Sequence, residues 1–320
     1  MTVASLALDE CLPPALRGEG TTFTRLASGL SGAGVHRVNA AGTAAVLKIS
    51  RASEPLDAWR ARTRVQQLAA DAGVAPAILH VDEARRAVVS EFVADRGFPG
   101  FLMTPATRAD ALVLLGRTMR RIHDLPAPAE LPRSNSREFL AATWSKAKAQ
   151  LELPSFVETV VTRALAIDPP AAGRADGLSH NDANPGNMVF DGERLMLVDW
   201  DTAGVQEPFY DLATIALFFR LDEAACLTML AAHDGAPAAT LPPRFTWDRR
   251  TIAALCGSMG LWIAGTGGHP GAAAGETLEN APTLVEFYQR MRAGEISHTT
   301  PKGQWAMGMA MIRESAAIHA

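Results

Sequence analysis

The sequence predicts an α+β fold, with a small antiparallel sheet ahead of a long helical region. Three observations carry that prediction. Five short runs of β-type patterning crowd residues 22–90. From Ala106 onward, apolar residues recur with helical spacing. One compact exception interrupts the helices: Leu178 to Leu212 reads as loop, short strand, turn, short strand and acidic loop.

In chain order, residues 1–20 read as a helical or irregular lead-in, broken by Pro13-Pro14 and Gly18-Glu19-Gly20. Strands are expected at Thr22–Leu26, Val35–Val38, Ala44–Ile49, Ile78–Val81 and Ala87–Ser90. Between the first two lies Ser28-Gly29-Leu30-Ser31-Gly32-Ala33-Gly34. Without Cβ atoms, backbone N–H groups around Ser31 and Gly32 could approach a phosphate closely, although such a segment is more often only a turn. Lys48 sits inside an apolar strand, where its ammonium needs a partner or a cleft unless it faces solvent.

A helix is expected from Asp57 to Ala72, closed by Gly73-Val74-Ala75-Pro76. Its acids, Asp57 and Asp71, lie at its two ends, with Glu54 just before it; Arg60, Arg62, Arg64, Gln66 and Gln67 fill the middle. Further on, Ala111, Leu112, Leu115, Met119 and Ile122 keep a helical stripe that ends near Leu125-Pro126. His123 invites a catalytic reading, but a histidine complementing the helix macrodipole is the plainer expectation. Helices follow at 136–152, 156–167, 211–220, 222–232, 248–264, 281–292 and 303–319, separated by Gly/Ala/Pro-rich loops.

The compact exception holds the chemistry. Met188-Val189-Phe190 and Leu195-Met196-Leu197-Val198 flank Asp191-Gly192, a hairpin signal. Before it stand His180, Asp182 and Asn187 in the pattern H-x-D-x-x-x-x-N; after it stands Asp199. A hairpin joins its ends, so Asp182, Asn187 and Asp199 should converge. An acid, an amide oxygen and a second acid can take a proton from a hydroxyl and hold Mg²⁺. The rival reading is an acidic Ca²⁺-type or structural loop with His180 buried.

Bulk properties narrow the field. The chain has 320 residues, 48% hydrophobic and 20% charged, which is ordinary for a globular protein. A net charge of −4 offers no basic field for nucleic acid, and no apolar run is long enough to span a bilayer. Cys11, Cys226 and Cys256 are widely spaced without a C-x-x-C, so reduced thiols are expected rather than a metal cluster. The N-terminus offers no basic n-region, so a cytoplasmic protein without a signal peptide is expected.

The catalytic stretch resembles the kinase loop in which an Asp, an Asn five residues later and an Asp after a hairpin cooperate. Asn181 replaces the Arg of H-R-D, and Asp199-Trp200-Asp201 replaces D-F-G. With H-N-D, D-W-D-x-A-G and Phe209-Tyr210-Asp211-Leu212-Ala213, it is similar to the aminoglycoside phosphotransferase and choline kinase superfamily, a group that includes bacterial small-molecule kinases. The resemblance implies a bilobal protein-kinase-like fold: residues 1–93 as a nucleotide-binding lobe of sheet plus helix, and 94–320 as a mainly helical catalytic and substrate-binding lobe. It implies ATP as phosphoryl donor, Mg²⁺ as cofactor and a small-molecule hydroxyl as acceptor. Asp182 would be the catalytic base, with His180 and Asp211 supporting its loop. Asn187 and Asp199 would bind the metal, and Lys48 would hold the phosphates under the loop around Ser31 and Gly32. The stretch around Glu91 and Val93 resembles the hinge whose backbone meets adenine. Asp201 is implied near the cleft, facing substrate or a second metal.

One departure stands out. Kinases of this fold pair the strand lysine with a glutamate from the helix, and this helix has none. Glu54 or Asp57 could reach Lys48, the helix register could differ, or the lysine could be positioned otherwise. A kinase-like ATP-binding regulatory protein with weak turnover is therefore an alternative. A protein kinase is disfavoured, since Asp199 to Tyr210 is too short for an activation segment. The C-terminal helices offer Trp247, Trp262, Phe287, Tyr288 and Trp305 with Glu276, Glu279 and Glu286. An aromatic face with an acid suits a quaternary ammonium. His180-Asn181-Asp182 and Met259-Gly260-Leu261-Trp262 favour a choline- or ethanolamine-like acceptor, with an aminoglycoside or another amino sugar close behind.

Overall fold

Strand alternation decides which side chains of the N-terminal sheet meet the core and which are left for chemistry. The computed structural model describes residues 8–26, 34–40, 42–171 and 174–318. Five strands, β1 (Thr22–Arg25), β2 (Gly34–Ala40), β3 (Thr43–Ile49), β4 (Ile78–Asp82) and β5 (Ala87–Glu91), form one antiparallel sheet in the order β1-β2-β3-β5-β4. Val38, Ala40, Ala45, Leu47, Ala87 and Val89 are buried together beneath Leu12 and Leu16 of the lead-in. Period-two geometry sends Lys48, the neighbour of Leu47, to the opposite face. In register, Lys48 lies between Val35 of β2 and Val88 of β5, so it is central in the sheet.

Helix α1 (Leu56–Asp71) buries Trp59, Ala61, Val65 and Ala69, and its Trp59, Arg62 and Gln66 line one small cavity with Lys48 on that opposite face. Gly73, at φ 69°, turns the chain out of the helix, and Val74 O then accepts from Leu197 N at 2.8 Å. After β5 comes a short helix, α2 (Phe98–Met103), with Pro99 in its first turn. Proline in a first helical turn lacks only an N–H that would be orphaned anyway, so it starts this helix rather than breaking the chain. Helix α3 (Arg108–His123) follows.

The chain divides into two compact units. The first comprises Met1–Arg133, Asp176–Asp211 and Leu227–Ala238. Besides the sheet it contains two short antiparallel pairs. Strands β6 (Gly177–Ser179) and β9 (Gly204–Gln206) pair with each other, and β7 (Met188–Phe190) pairs with β8 (Leu195–Leu197) as the expected hairpin. The second unit comprises Ser134–Ala175, Leu212–Cys226 and Ala239–Ala320, and it is helical. Its helices are α4 (Ser136–Gln150), α5 (Ser155–Ala166), most of α6 (Phe209–Phe218), the start of α7 (Glu223–Asp234), α8 (Pro243–Thr266), α9 (Leu284–Arg292) and α10 (Pro301–Ala317). Helix α8 packs against α4 and α10 around Leu140, Trp144, Leu255, Leu261, Met309 and Ile312. Among the described residues no helix is long and apolar enough to cross a membrane. Cys11 and Cys226 are buried thiols, as expected, and Cys256 is half-buried.

Within the first unit, α3 and the end of α7 touch at Gly116. A Cβ there would stand 2.3 Å from Met229 O, 2.9 Å from Ala232 Cβ and 2.9 Å from His233 N. Two of those three atoms are backbone, which has little room to yield. Gly116→Ala should therefore lose about 1–3 kcal/mol of unfolding free energy, read as a lower urea midpoint at unchanged slope.

Candidate active site

Asp211 lies in the first turn of α6 with no exposed surface. Its Oδ2 accepts from Ser179 Oγ and from His180 N, each at 2.8 Å, and its Oδ1 accepts from Asn181 N at 2.8 Å. His123 Nε2 stands 3.2 Å from Asp211 Oδ2. His123 Nδ1 is 2.9 Å from His233 Nε2, whose Nδ1 is 2.6 Å from Asp234 Oδ1. Burial pushes the Asp211 carboxyl up, yet the bond and charge of His123, the charge of His180 and the Ser179 bond together hold it below the usual range. His123 thus serves as a buried prop for this carboxylate, beyond the macrodipole role expected of it.

The loop after β6 is fixed at His180, Asn181 and Asp182 in succession. Asn181 takes φ 63°, a conformation asparagine tolerates, and donates from Nδ2 to Thr202 O at 3.0 Å. Thr202 Oγ1 donates to His180 O at 3.0 Å. The buried His180 ring lies 4.7 Å from the Trp200 ring, and its Nε2 donates to Val198 O at 3.0 Å. Burial pushes the His180 pKa down, and the ring ties loop to hairpin through its bond to Val198 O.

Asp182 receives two amides. Asn184 Nδ2 donates to Oδ1 at 2.7 Å, and Asn187 Nδ2 donates to Oδ2 at 2.8 Å and to the Asp182 carbonyl at 2.9 Å. Burial pushes the Asp182 pKa up, with Asp199 adding in the same direction against the bonds of Asn184 and Asn187 and the charge of His180. Beyond the hairpin, Val198 N donates to Asn187 O at 2.9 Å, which brings Asp199 alongside Asn187. The three polar residues converge as the hairpin argument required.

Asp199 has φ 64° and ψ 65°, a region that costs a non-glycine residue on the order of 1 kcal/mol. Its carboxylate meets the sheet lysine. Lys48 Nζ lies 2.7 Å from Asp199 Oδ1 and 2.7 Å from Asp201 Oδ1. Burial raises the Asp199 pKa, but the charge and hydrogen bond of Lys48 outweigh it and hold the group below the usual range. The open choice about the partner of Lys48 thereby closes. Glu54 pairs with Arg62, and Asp57 pairs with Arg60 at 3.2 Å. The acids that meet Lys48 come from the turn after β8.

Glu91 closes β5, where its N–H donates to Ala77 O at 2.9 Å and its Oε1 accepts from Ala77 N at 3.2 Å. Val93 is half-buried two residues on. Sequence reasoning missed Asp95, whose Oδ1 accepts from Gly97 N at 2.9 Å and Phe190 N at 3.1 Å. Arg96 N donates to Phe190 O at 2.8 Å, so the segment after β5 is zipped to β7. The Asp95-Arg96-Gly97 triplet carried a readable turn signal. His233 carried none. Ser31 and Gly32 lie outside the described residues. Trp262 belongs to the second unit, partly buried against its core with Lys146 Nζ 4.6 Å over its ring.

The phosphotransferase enzyme family designated APH matches this sequence over residues 22–251, well over half its length. The chain belongs to this family. It is accordingly a phosphotransferase, and the protein-kinase-like fold expected from the sequence is the fold of its structural neighbours. A choline/ethanolamine kinase family protein from Mesorhizobium loti aligns over 99% of both chains, with TM-score 0.62 and 19% identity. An aminoglycoside-3'-phosphotransferase of type VIII aligns over 74% of this chain and 94% of its own, with TM-score 0.55 and 18% identity. Protein LicA of Haemophilus influenzae is 44% identical over 54 residues, 17% of this chain and 20% of LicA. The chain thus spans about a fifth of the length of the curated relatives it matches.

Asp211 generates a pH test. Its folded pKa lies below the value of about 3.9 that an unfolded aspartate carboxyl has. Its stabilisation is therefore complete above that value and is lost as pH falls through the folded pKa. Asp211→Asn should cost about 2–3 kcal/mol near neutral pH. Urea midpoints of the native and D211N chains, measured from neutral pH downward, should converge in strong acid.

Proposed function

We propose that this phosphotransferase moves the γ-phosphoryl group of ATP onto a hydroxyl of a small molecule. The observation that carries the reading is the meeting of Asp182, Asn187, Asp199 and Lys48 around one hairpin end. We assign residues 1–93 to the nucleotide and residues 94–320 to catalysis and the acceptor.

Asp182 has the chemistry of a general base. Its amides from Asn184 and Asn187 fix the carboxylate, and its raised pKa makes it a better proton acceptor than an exposed aspartate. It would take the proton of the acceptor hydroxyl while that oxygen attacks the γ-phosphorus and the bond to ADP breaks. Lys48 would hold the phosphates together with the loop at Ser31 and Gly32, and the backbone of the segment around Glu91 and Val93 would meet adenine.

The residues present fit Mg²⁺. Asn187 turns its amide nitrogen to Asp182, which leaves its oxygen as a donor, and Lys48 takes only Oδ1 of Asp199. Such hard oxygen donors, few in number, suit a cation that is usually shared between one or two protein ligands and phosphates. Bound there, Mg²⁺ supplies charge neutralisation along the phosphate chain.

For the acceptor we favour a choline- or ethanolamine-like amino alcohol. Support comes from the H-N-D and Met259-Gly260-Leu261-Trp262 sequences and from the likeness to the Mesorhizobium loti protein. A hydroxyl on an amino sugar is the second reading, supported by the aminoglycoside-3'-phosphotransferase likeness. A regulatory ATP-binding protein is the third, supported by the missing helix glutamate.

Release of ADP from Mg²⁺-ATP across a panel of amino alcohols and amino sugars tests all three. Acceptor-stimulated release is expected, and Asp182→Ala should lower its kcat by about 10²–10⁴ while ATP affinity is retained. Stimulation by amino sugars alone removes the amino-alcohol preference. Tight ATP binding with no stimulation by any acceptor sinks the phosphotransfer reading in favour of the regulatory one.

A further inference from the structure

Lys48 is the charge the sequence left without a keeper. Helix α1 presents Arg62 toward it instead of an acid. The two carboxylates on Lys48 are not equivalent. Asp199 sits beside Asn187 and is the residue proposed to bind the cation, so its bond to Lys48 competes with that role. Asp201 is held from its far side. Arg62 Nη1 stands 3.6 Å from Asp201 Oδ1, the same oxygen that Lys48 reaches, and Arg62 is itself paired with Glu54.

Arg62 is committed to this place. Its side chain is only 20% exposed, and its Nε is buried without a hydrogen-bond partner among the described residues. Asp201 also stands on a stapled turn. Trp200 Nε1 donates to Leu197 O at 3.1 Å, and Thr202 Oγ1 donates to the His180 carbonyl. A small cavity lined by Lys48, Trp59, Arg62, Gln66, Trp200 and Asp201 shows that the sheet, helix and turn all meet at this point.

The two acids also differ in the charge around them. Lys48 and Arg62 face Asp199, Asp201 and Glu54, an excess of one negative charge. Once Asp199 is given to a divalent cation, the remaining four groups are neutral as a set. We propose that Asp201, backed by the Arg62–Glu54 pair, is the standing carboxylate that positions Lys48 toward the phosphates, in place of an acid on the helix. This rests on the reading of Lys48 as a phosphate ligand.

Calorimetric binding of Mg²⁺-ATP to the full chain, the condition in which Asp199 is given to the cation, tests it. Removing a negative charge beside an anion site by itself tightens anion binding. A positioning role predicts the opposite: D201N should weaken ATP binding about tenfold. D201E, which keeps the carboxylate, should recover most of that loss. R62K keeps the charge but loses the planar fork, so it should also weaken binding, with no further loss when combined with D201N. A folded D201N chain that binds ATP as well as or better than the native chain overturns the proposal. Should D201N fail to fold, native affinity in R62K overturns it instead. Lys48→Ala separates the levels. If it weakens binding while D201N does not, only the role of Asp201 falls. If it leaves binding unchanged, the phosphate role of Lys48 falls and this proposal with it.

Discussion

The Asp211 carboxylate is the constraint on which the active-site geometry depends. A fully buried carboxylate is strongly unfavourable unless its lone pairs are filled. Here they are filled by two consecutive backbone N–H groups, a serine hydroxyl and a buried histidine. Those partners come from β6, from the loop after it and from α3, so satisfying one charge fixes three elements. The backbone of His180 and Asn181 cannot rotate without stranding that charge. Asn181 is therefore held at φ 63°, and Asp182, the next residue, is aimed at the amides of Asn184 and Asn187. From there the hairpin carries the order on to Asp199.

Much of this was legible because it is local. Period-two alternation placed Lys48 opposite the buried Leu47, and the Asp191-Gly192 turn was enough to bring Asn187 and Asp199 together. The five strands and α1 follow from patterning within short windows. What escaped is long-range. The partners of Lys48 lie 151 and 153 residues away, and His123 and His233 are 110 residues apart. No spacing rule links such positions. The β6–β9 pairing escaped for a different reason: with three residues on each side, it is too short to show alternation.

The aromatic residues of the C-terminal helices show how a compositional argument falls short of a geometric one. Tryptophans with nearby acids suggested a face for an ammonium group. In the folded chain those faces already have partners within the second unit. Lys146 sits over Trp262, Arg244 sits 4.9 Å over Trp247, and His269 stacks on Trp305 at 4.3 Å. Glu276 accepts from Trp305 Nε1, and Glu286 closes the capping box of α9. A cation–π contact with a ligand requires an unoccupied ring face, so Lys146 and Arg244 compete with any acceptor ammonium for the faces they cover.

The two acids at the hairpin ends illustrate how one short segment can hold two aspartates in opposite electrostatic environments. Both are pushed toward neutrality by burial. Asp182 stays raised because the partners on its oxygens are neutral amides, which stabilise its charge only modestly. Asp199 ends lowered because a lysine from another strand lies within hydrogen-bond distance. Environments that drive paired carboxylates apart are how a site keeps one acid ready to receive a proton and the other permanently charged. The difference here arises from topology rather than from residue type. The loop end of the hairpin points its acid at asparagines of the same loop, while the strand end points its acid at the sheet. Lys48 reaches it only because β3 is central, with α1 closing the face behind it.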